Sequence, residues 1–151
     1  MNRTDVNLTA PWGIALLRVV TGIILLMHGQ QKLFEFGLGG VTGMMTGLGV
    51  PAPGFMALVV TLVEVVGGIA LILGAFTRIA ALLIAIDMLV AFFLVHIPNG
   101  FFASNGGVEL VLMLATAGVA LVLTGPGAMA LDRVLPIERR LQSSPLSPAP
   151  R

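Results

Sequence analysis

Apolar residues run through this chain in four long blocks instead of alternating with polar ones. The blocks cover roughly residues 12–33, 55–75, 78–97 and 107–124. Each approaches the about 20 residues that a helix needs to cross a hydrocarbon core, so the pattern predicts four transmembrane helices. Unbroken apolar runs argue against a membrane β-barrel, whose strands alternate. Glycine and proline mark the breaks: "GLGGVTGMMTGLGVPAPG" after the first block, "AFTR" after the second, "IPNGFFASNGG" after the third and "TGPG" at the end of the fourth. The expected fold class is all-α, an integral membrane four-helix bundle.

Composition agrees with the pattern. Hydrophobic residues make up 57% of the chain and charged residues 10%, and the mean hydropathy is +1.04. A soluble domain carries about 25% charged residues; so few charges cannot cover a water-facing surface. The lipid bilayer is therefore the first partner. A net charge of +1 provides no basic field for nucleic acid. There is no cysteine, which excludes disulfides, thiolate metal sites and a dithiol centre within the chain. The opening segment "MNRTDVNLTAPWGIALLRVV" has the apolar character of a signal peptide, but Arg18 interrupts it and no small-x-small site follows before "HGQQK". It reads as a retained first helix.

Lys and Arg set the orientation. With the termini and the 76–78 turn on one side, that side holds Arg3, Arg78, Arg133, Arg139, Arg140 and Arg151, against Lys32 opposite. Both termini are then cytoplasmic and the protein is a multi-pass protein of the cell inner membrane. Residues 1–132 read as one four-helix domain and 133–151 as a cytoplasmic tail. "MALDRVLPIERR" is expected to form an interfacial helix, and "LQSSPLSPAPR" to be disordered. The first outer loop is glycine-rich and apolar, and is expected to dip back into the bilayer where protein covers its backbone.

Seven of the remaining polar residues fall inside or at the ends of the spans, and Gln31 lies with them. Glu64 and Asp87 lie about ten residues into their helices, near the midplane at 1.5 Å of rise per residue. Arg18, Thr21, Leu25, His28 and Lys32 advance by 3, 4, 3 and 4 and share one face of the first helix. Gln31 lies beside Lys32, Glu109 opens the fourth helix, and His96 ends the third, half a turn out of phase with Asp87. The simplest arrangement pairs Arg18 with Glu64 or Asp87, and Lys32 or His28 with Glu109. A charge at the bilayer centre costs at least about 2.5–3.5 kcal/mol, so one of the two midplane carboxyls is expected to hold a proton. Each residue also has a purely structural reading. Glu64 and Asp87 are then interhelical glue, at about 0.6 kcal/mol per hydrogen bond, and Arg18 and Lys32 snorkel to the interfaces. "GGIALILG" and "ATAGVA" read as small-residue contact faces, Trp12 as an interfacial anchor. No nucleotide-binding or metalloprotease motif is present, and two out-of-phase histidines do not make a metal site.

"LLRVVTGIILLMHGQQKLF", "EVVGGIALILGAFTRIAALLIAIDMLVAFFLVH" and "NGGVELVLMLATAGVALVLTGPGAMALD", in this order and spacing, resemble the DoxX family of small four-helix membrane proteins over about Arg18 to Asp132. The resemblance implies one of three activities: quinone-coupled oxidation of sulfur compounds, the organisation of soluble redox enzymes at the membrane against oxidative stress, or assembly of other proteins. It carries the family's polar positions onto Arg18, His28, Lys32, Glu64, Asp87 and Glu109.

Three functions follow. In the first, a quinone or other lipid-soluble ligand meets His28, Gln31, Lys32, Glu109 and His96, with Glu64, Asp87 and Arg18 relaying protons. Electrons then come from a partner, a soluble redox enzyme or another membrane subunit. In the second, the bundle is a scaffold that docks other proteins. In the third it is a small proton-coupled transporter, which four helices without a repeat would favour only as a homodimer.

Overall fold

The computed structural model describes residues 3–134, with side chains from residue 9 onward. The chain is helical almost throughout. α1 (Arg3–Gln30) continues into a π-turn at Gln31–Glu35. It is followed by α2 (Gly37–Gly47), α3 (Pro53–Leu73), α4 (Thr77–Ala91) and α5 (Glu109–Thr124). α4 runs on through a second π-turn at Phe92–His96 and a 3-10 turn at Ile97–Asn99. The stretches Thr9–Glu35, Pro53–Leu73 and Thr77–Asn99 are long and apolar enough to cross a membrane, and α5 is a shorter apolar helix. These follow the four blocks of the sequence. Large apolar side chains such as Leu16, Ile23, Leu62, Val66 and Leu82 point outward, which suits lipid and would not suit water.

The helices associate as two close pairs, α1 with α3 and α4 with α5. Lipid supplies no hydrophobic drive between helices, so close backbone approach at small residues has to. A Cβ on Gly22 would lie 2.7 Å from the Gly68 carbonyl oxygen, and one on Gly118 would lie 3.0 Å from that of Ala81. Gly68 and Gly118 are the glycines at the heart of the two small-residue stretches picked out in the sequence. Leu25, Leu71, Ile84 and Leu121 are fully buried and fill the space between the pairs.

The expected outer loop is mostly α2. Gly39, Gly40 and Gly43 sit in its interior, at about 1 kcal/mol each against helix formation. Packing overrides that cost: Val41 is buried against Ala57 and Val60 of α3. Thr42 and Thr46 also return their hydroxyls to the carbonyls of Leu38 and Thr42. The segment is thus folded against protein along one side.

At the opposite end, the chain after α5 folds back across the helix ends. The Ala128 amide donates to the Pro11 carbonyl, and the Asp132 amide to that of Gly74. Asp132 is buried, and its two oxygens accept the amides of Phe76 (2.5 Å) and Thr77 (2.9 Å). It caps the start of α4 from 55 residues away in sequence and holds Phe76 in a left-handed conformation, φ 50°. Asp132→Ala should therefore cost about 1–2 kcal/mol, read as a lower unfolding midpoint in detergent, with Asp132→Asn recovering part. Of the expected interfacial helix, Leu131–Arg133 forms a 3-10 turn and Met129 and Ala130 before it are not helical; residues 135–140 and the Pro/Ser-rich tail lie outside the described residues.

Candidate functional site

α1 and α3 run antiparallel in a register that glycines fix. Gly22 faces Gly68 and Ile72, and Gly29 faces Glu64 and Val65. Continuing toward the inner end, Arg18 comes beside Gly74, where an added Cβ would lie 2.5 Å from its Nη1. Continuing outward, Lys32 comes beside Glu64, and Lys32 Nζ and Glu64 Oε1 are 2.5 Å apart. Register alone decides which cation meets the buried carboxylate.

This corrects the expected pairing of Arg18 with Glu64 or Asp87. Arg18 lies ten residues along α3 from Glu64, about 15 Å of helix. Its guanidinium donates to the carbonyls of Pro126 (2.5 Å) and Met129 (3.0 Å). It is 1% exposed, so it is buried, not snorkelling. Its job in the fold is to hold the inner strap, where the Met129 backbone sits at φ 48°. The expected partner of Lys32 or His28, Glu109, is also elsewhere. Exposed at the start of α5, it accepts the Ala103 amide at 2.9 Å and closes the outer loop.

Between the two helix pairs, the half of the bundle that carries α2 holds a cavity of about 400 Å³. Its walls are almost wholly apolar, with Met44, Met45 and Leu48 of α2 lying over it. Its polar lining is His28, Gln31, Lys32, Glu64, Asp87 and His96. Six of the eight residues singled out from the sequence thus meet at one cavity; Arg18 and Glu109 do not line it. Glu64 is 3% exposed, and Glu64 Oε2 and Asp87 Oδ2 are both buried without a hydrogen-bond partner. Two carboxyls face one ammonium in a medium of low dielectric, where each unpaired polar atom is costly. Gln31 turns aside, donating to Glu35 at 3.1 Å.

His96 reaches the cavity because of the π-turn at Phe92–His96, in which the Ile97 amide bonds the Phe92 carbonyl. That turn takes up one residue more than an α-turn and brings His96 round by about 100° toward the Asp87 side. The ideal-helix count had placed it out of phase. His96 Nδ1 lies 2.6 Å from the Gly106 carbonyl oxygen. A carbonyl only accepts, so Nδ1 carries hydrogen and, in the neutral ring, Nε2 keeps its lone pair. Gln31 and Lys32 lie on the other π-turn; both interruptions of regular helix therefore carry polar residues of the cavity.

Sequence reasoning missed Asp132 as a buried anchor and the methionines of α2 as cavity wall. A lone acid among apolar residues in "GAMALD" was the available signal for Asp132. The methionines carried none, since methionine in such a chain is ordinary packing.

Comparison with known proteins matches a family model described as DoxX to residues 13–97. An uncharacterized protein of Haemophilus influenzae is 38% identical over 125 residues, covering 81% of this chain and 90% of that protein. A Bacillus subtilis protein with the provisional name oxidoreductase CatD is 36% identical over 120 residues, covering 80% and 84%. The Escherichia coli inner membrane protein YqjF is 34% identical over 125 residues, covering 82% and 92%. No solved structure matches the chain.

Proposed function

This chain belongs to the DoxX family and is a multi-pass inner-membrane protein; from that premise we propose that its outer cavity binds the headgroup of a quinone-class, lipid-soluble ligand. The protein is then the membrane subunit of a quinone-linked redox or oxidative-stress system. The observation that carries this reading is the cavity itself. About 400 Å³ of apolar space with one polar patch, Lys32, Glu64, Asp87, His28 and His96, suits a flat ring bearing oxygens. The relative named as an oxidoreductase supports the same class of chemistry.

The unpartnered Glu64 Oε2 and Asp87 Oδ2 fit a ligand that exchanges hydrogen bonds or protons with them. A quinone supplies two-electron chemistry coupled to two protons. The residues supply the rest. Lys32 holds Glu64 in place and keeps one carboxyl charge neutralised. Asp87, with no cation of its own, is the group free to pass a proton to and from the ligand. His28 and His96 stand at the same cavity as proton carriers. Without cysteine, the chain draws its electrons from a protein partner.

Mass spectrometry of the protein purified gently from its native membrane tests this. One quinone per protein is expected, and its loss in Asp87→Asn and in His28→Ala. Protein that arrives without any stoichiometric small molecule sinks the reading. The second reading, a scaffold without catalysis, is favoured by Arg18, Asp132 and Glu109, each of which is bound to backbone groups. A reproducible protein partner and no bound ligand would establish it.

A further inference from the structure

We infer that the cavity selects the reduced, hydroxyl-bearing form of its ring ligand over the oxidised, carbonyl form. The inference rests on the proposed quinone-class reading and adds which redox form the site is built to hold.

The argument is a count of donors and acceptors around the cavity. Glu64 Oε1 is taken by Lys32, and Glu64 Oε2 is buried with nothing bonded to it. Asp87 Oδ2 is equally buried and bare, and no hydrogen bond reaches Asp87 among the described residues. His96 spends its Nδ1 hydrogen on the Gly106 carbonyl, so what its neutral ring has left is an acceptor. Gln31 gives one amide hydrogen to Glu35 and keeps the second and its carbonyl oxygen. Against these acceptors stand the remaining hydrogens of Lys32, the second amide hydrogen of Gln31 and one on His28.

A quinone carbonyl only accepts. It satisfies Lys32 but brings no hydrogen to Glu64 Oε2 or, while Asp87 is ionised, to Asp87 Oδ2. An ammonium ligand only donates, and Lys32 repels it. A phenolic hydroxyl does both: its oxygen accepts from Lys32 while its hydrogen goes to Glu64 Oε2 or Asp87. Buried acceptors without a donor are costly, and a hydrogen bond to a charged group is worth more than one between neutral groups. The hydroxyl form therefore gains where the carbonyl form leaves the cost in place.

The test uses the full-length protein in lipid nanodiscs under anaerobic conditions, with protein-free discs as the partitioning control. The probes are decylubiquinol, decylubiquinone and the 1,4-dimethyl ether of the quinol, which keeps shape and tail but has no donor. The expected result is quinol binding at least about tenfold tighter than quinone, with the ether no better than the quinone. In Asp87→Asn, which swaps one acceptor oxygen for a donor, the ratio should fall close to one. Glu64→Gln should do the same, but it also strips Lys32 of its partner, so the wild-type ratio and Asp87→Asn decide. Quinone binding as tight as quinol overturns this inference and leaves the quinone-class reading standing. Failure of all three probes to bind above the control overturns both.

Discussion

Lys32→Met should destabilise the protein by about 3–5 kcal/mol, the cost of leaving a buried carboxylate without its counter-ion. Glu64 is 3% exposed and its other oxygen is already bare, so it would lose the one ammonium paired with it. The side chain of Met replaces the apolar stem of lysine, which isolates the loss of charge. In Lys32→Met/Glu64→Gln the carboxylate is gone as well, and most of the stability should return. Unfolding in mixed micelles, read by helical signal against denaturing detergent, completes the double-mutant cycle. Coupling below about 0.5 kcal/mol would mean that the 2.5 Å contact carries no stability. Arg18→Met should instead loosen the inner strap and leave the cavity pair unaffected.

Gly68→Val should be at least as damaging, for a steric reason. A Cβ there would sit 2.8 Å from the Gly22 carbonyl oxygen and 2.8 Å from the Leu26 amide nitrogen. Both are backbone atoms, so no side-chain rotation relieves the overlap and the helices must part. Overpacking costs about 1–3 kcal/mol where a core can adjust; here the contact that sets the α1–α3 register is itself removed, and the loss should exceed that range. Gly67→Ala is the paired control, since its Cβ meets the tip of Ile84 at 3.2 Å, a group able to shift. Gly39→Ala, with nothing within 4 Å, should be neutral or stabilise α2 by up to about 1 kcal/mol. Equal effects at positions 67 and 68 would refute the tight crossing.

The spans were legible in the sequence because the bilayer imposes their length, and apolar runs of about 20 residues have few other uses. The polar stripe on α1 was legible too: the 3-4 spacing puts Arg18, Thr21, Leu25, His28 and Lys32 on one face, and 18, 21 and 25 are buried while 25, 28 and 32 line the cavity. What spacing along one helix cannot give is the register between two. Whether Arg18 or Lys32 meets Glu64 depends on Gly22 opposing Gly68, a fact about contact, not about depth. α2 was hidden because its glycines argue for a loop until Val41 has Ala57 and Val60 to pack on. The inner strap was hidden because Arg18 bonds to carbonyls 108 and 111 residues away.

The π-turn before His96 has a consequence for how such a site changes over generations. A substitution alters one side chain, whereas removing a single residue within 92–95 would relax the turn to α-helical winding and leave His96 eight residues past Asp87, about 80° round, which is where the π-turn already holds it. The span would shorten by only about 1.5 Å, well within what a membrane tolerates. His96 would stay on the cavity side, and the loop anchored through Gly106 would keep its anchor. The π-turn is therefore a place where a one-codon deletion leaves both the membrane topology and the histidine at the mouth of the cavity intact.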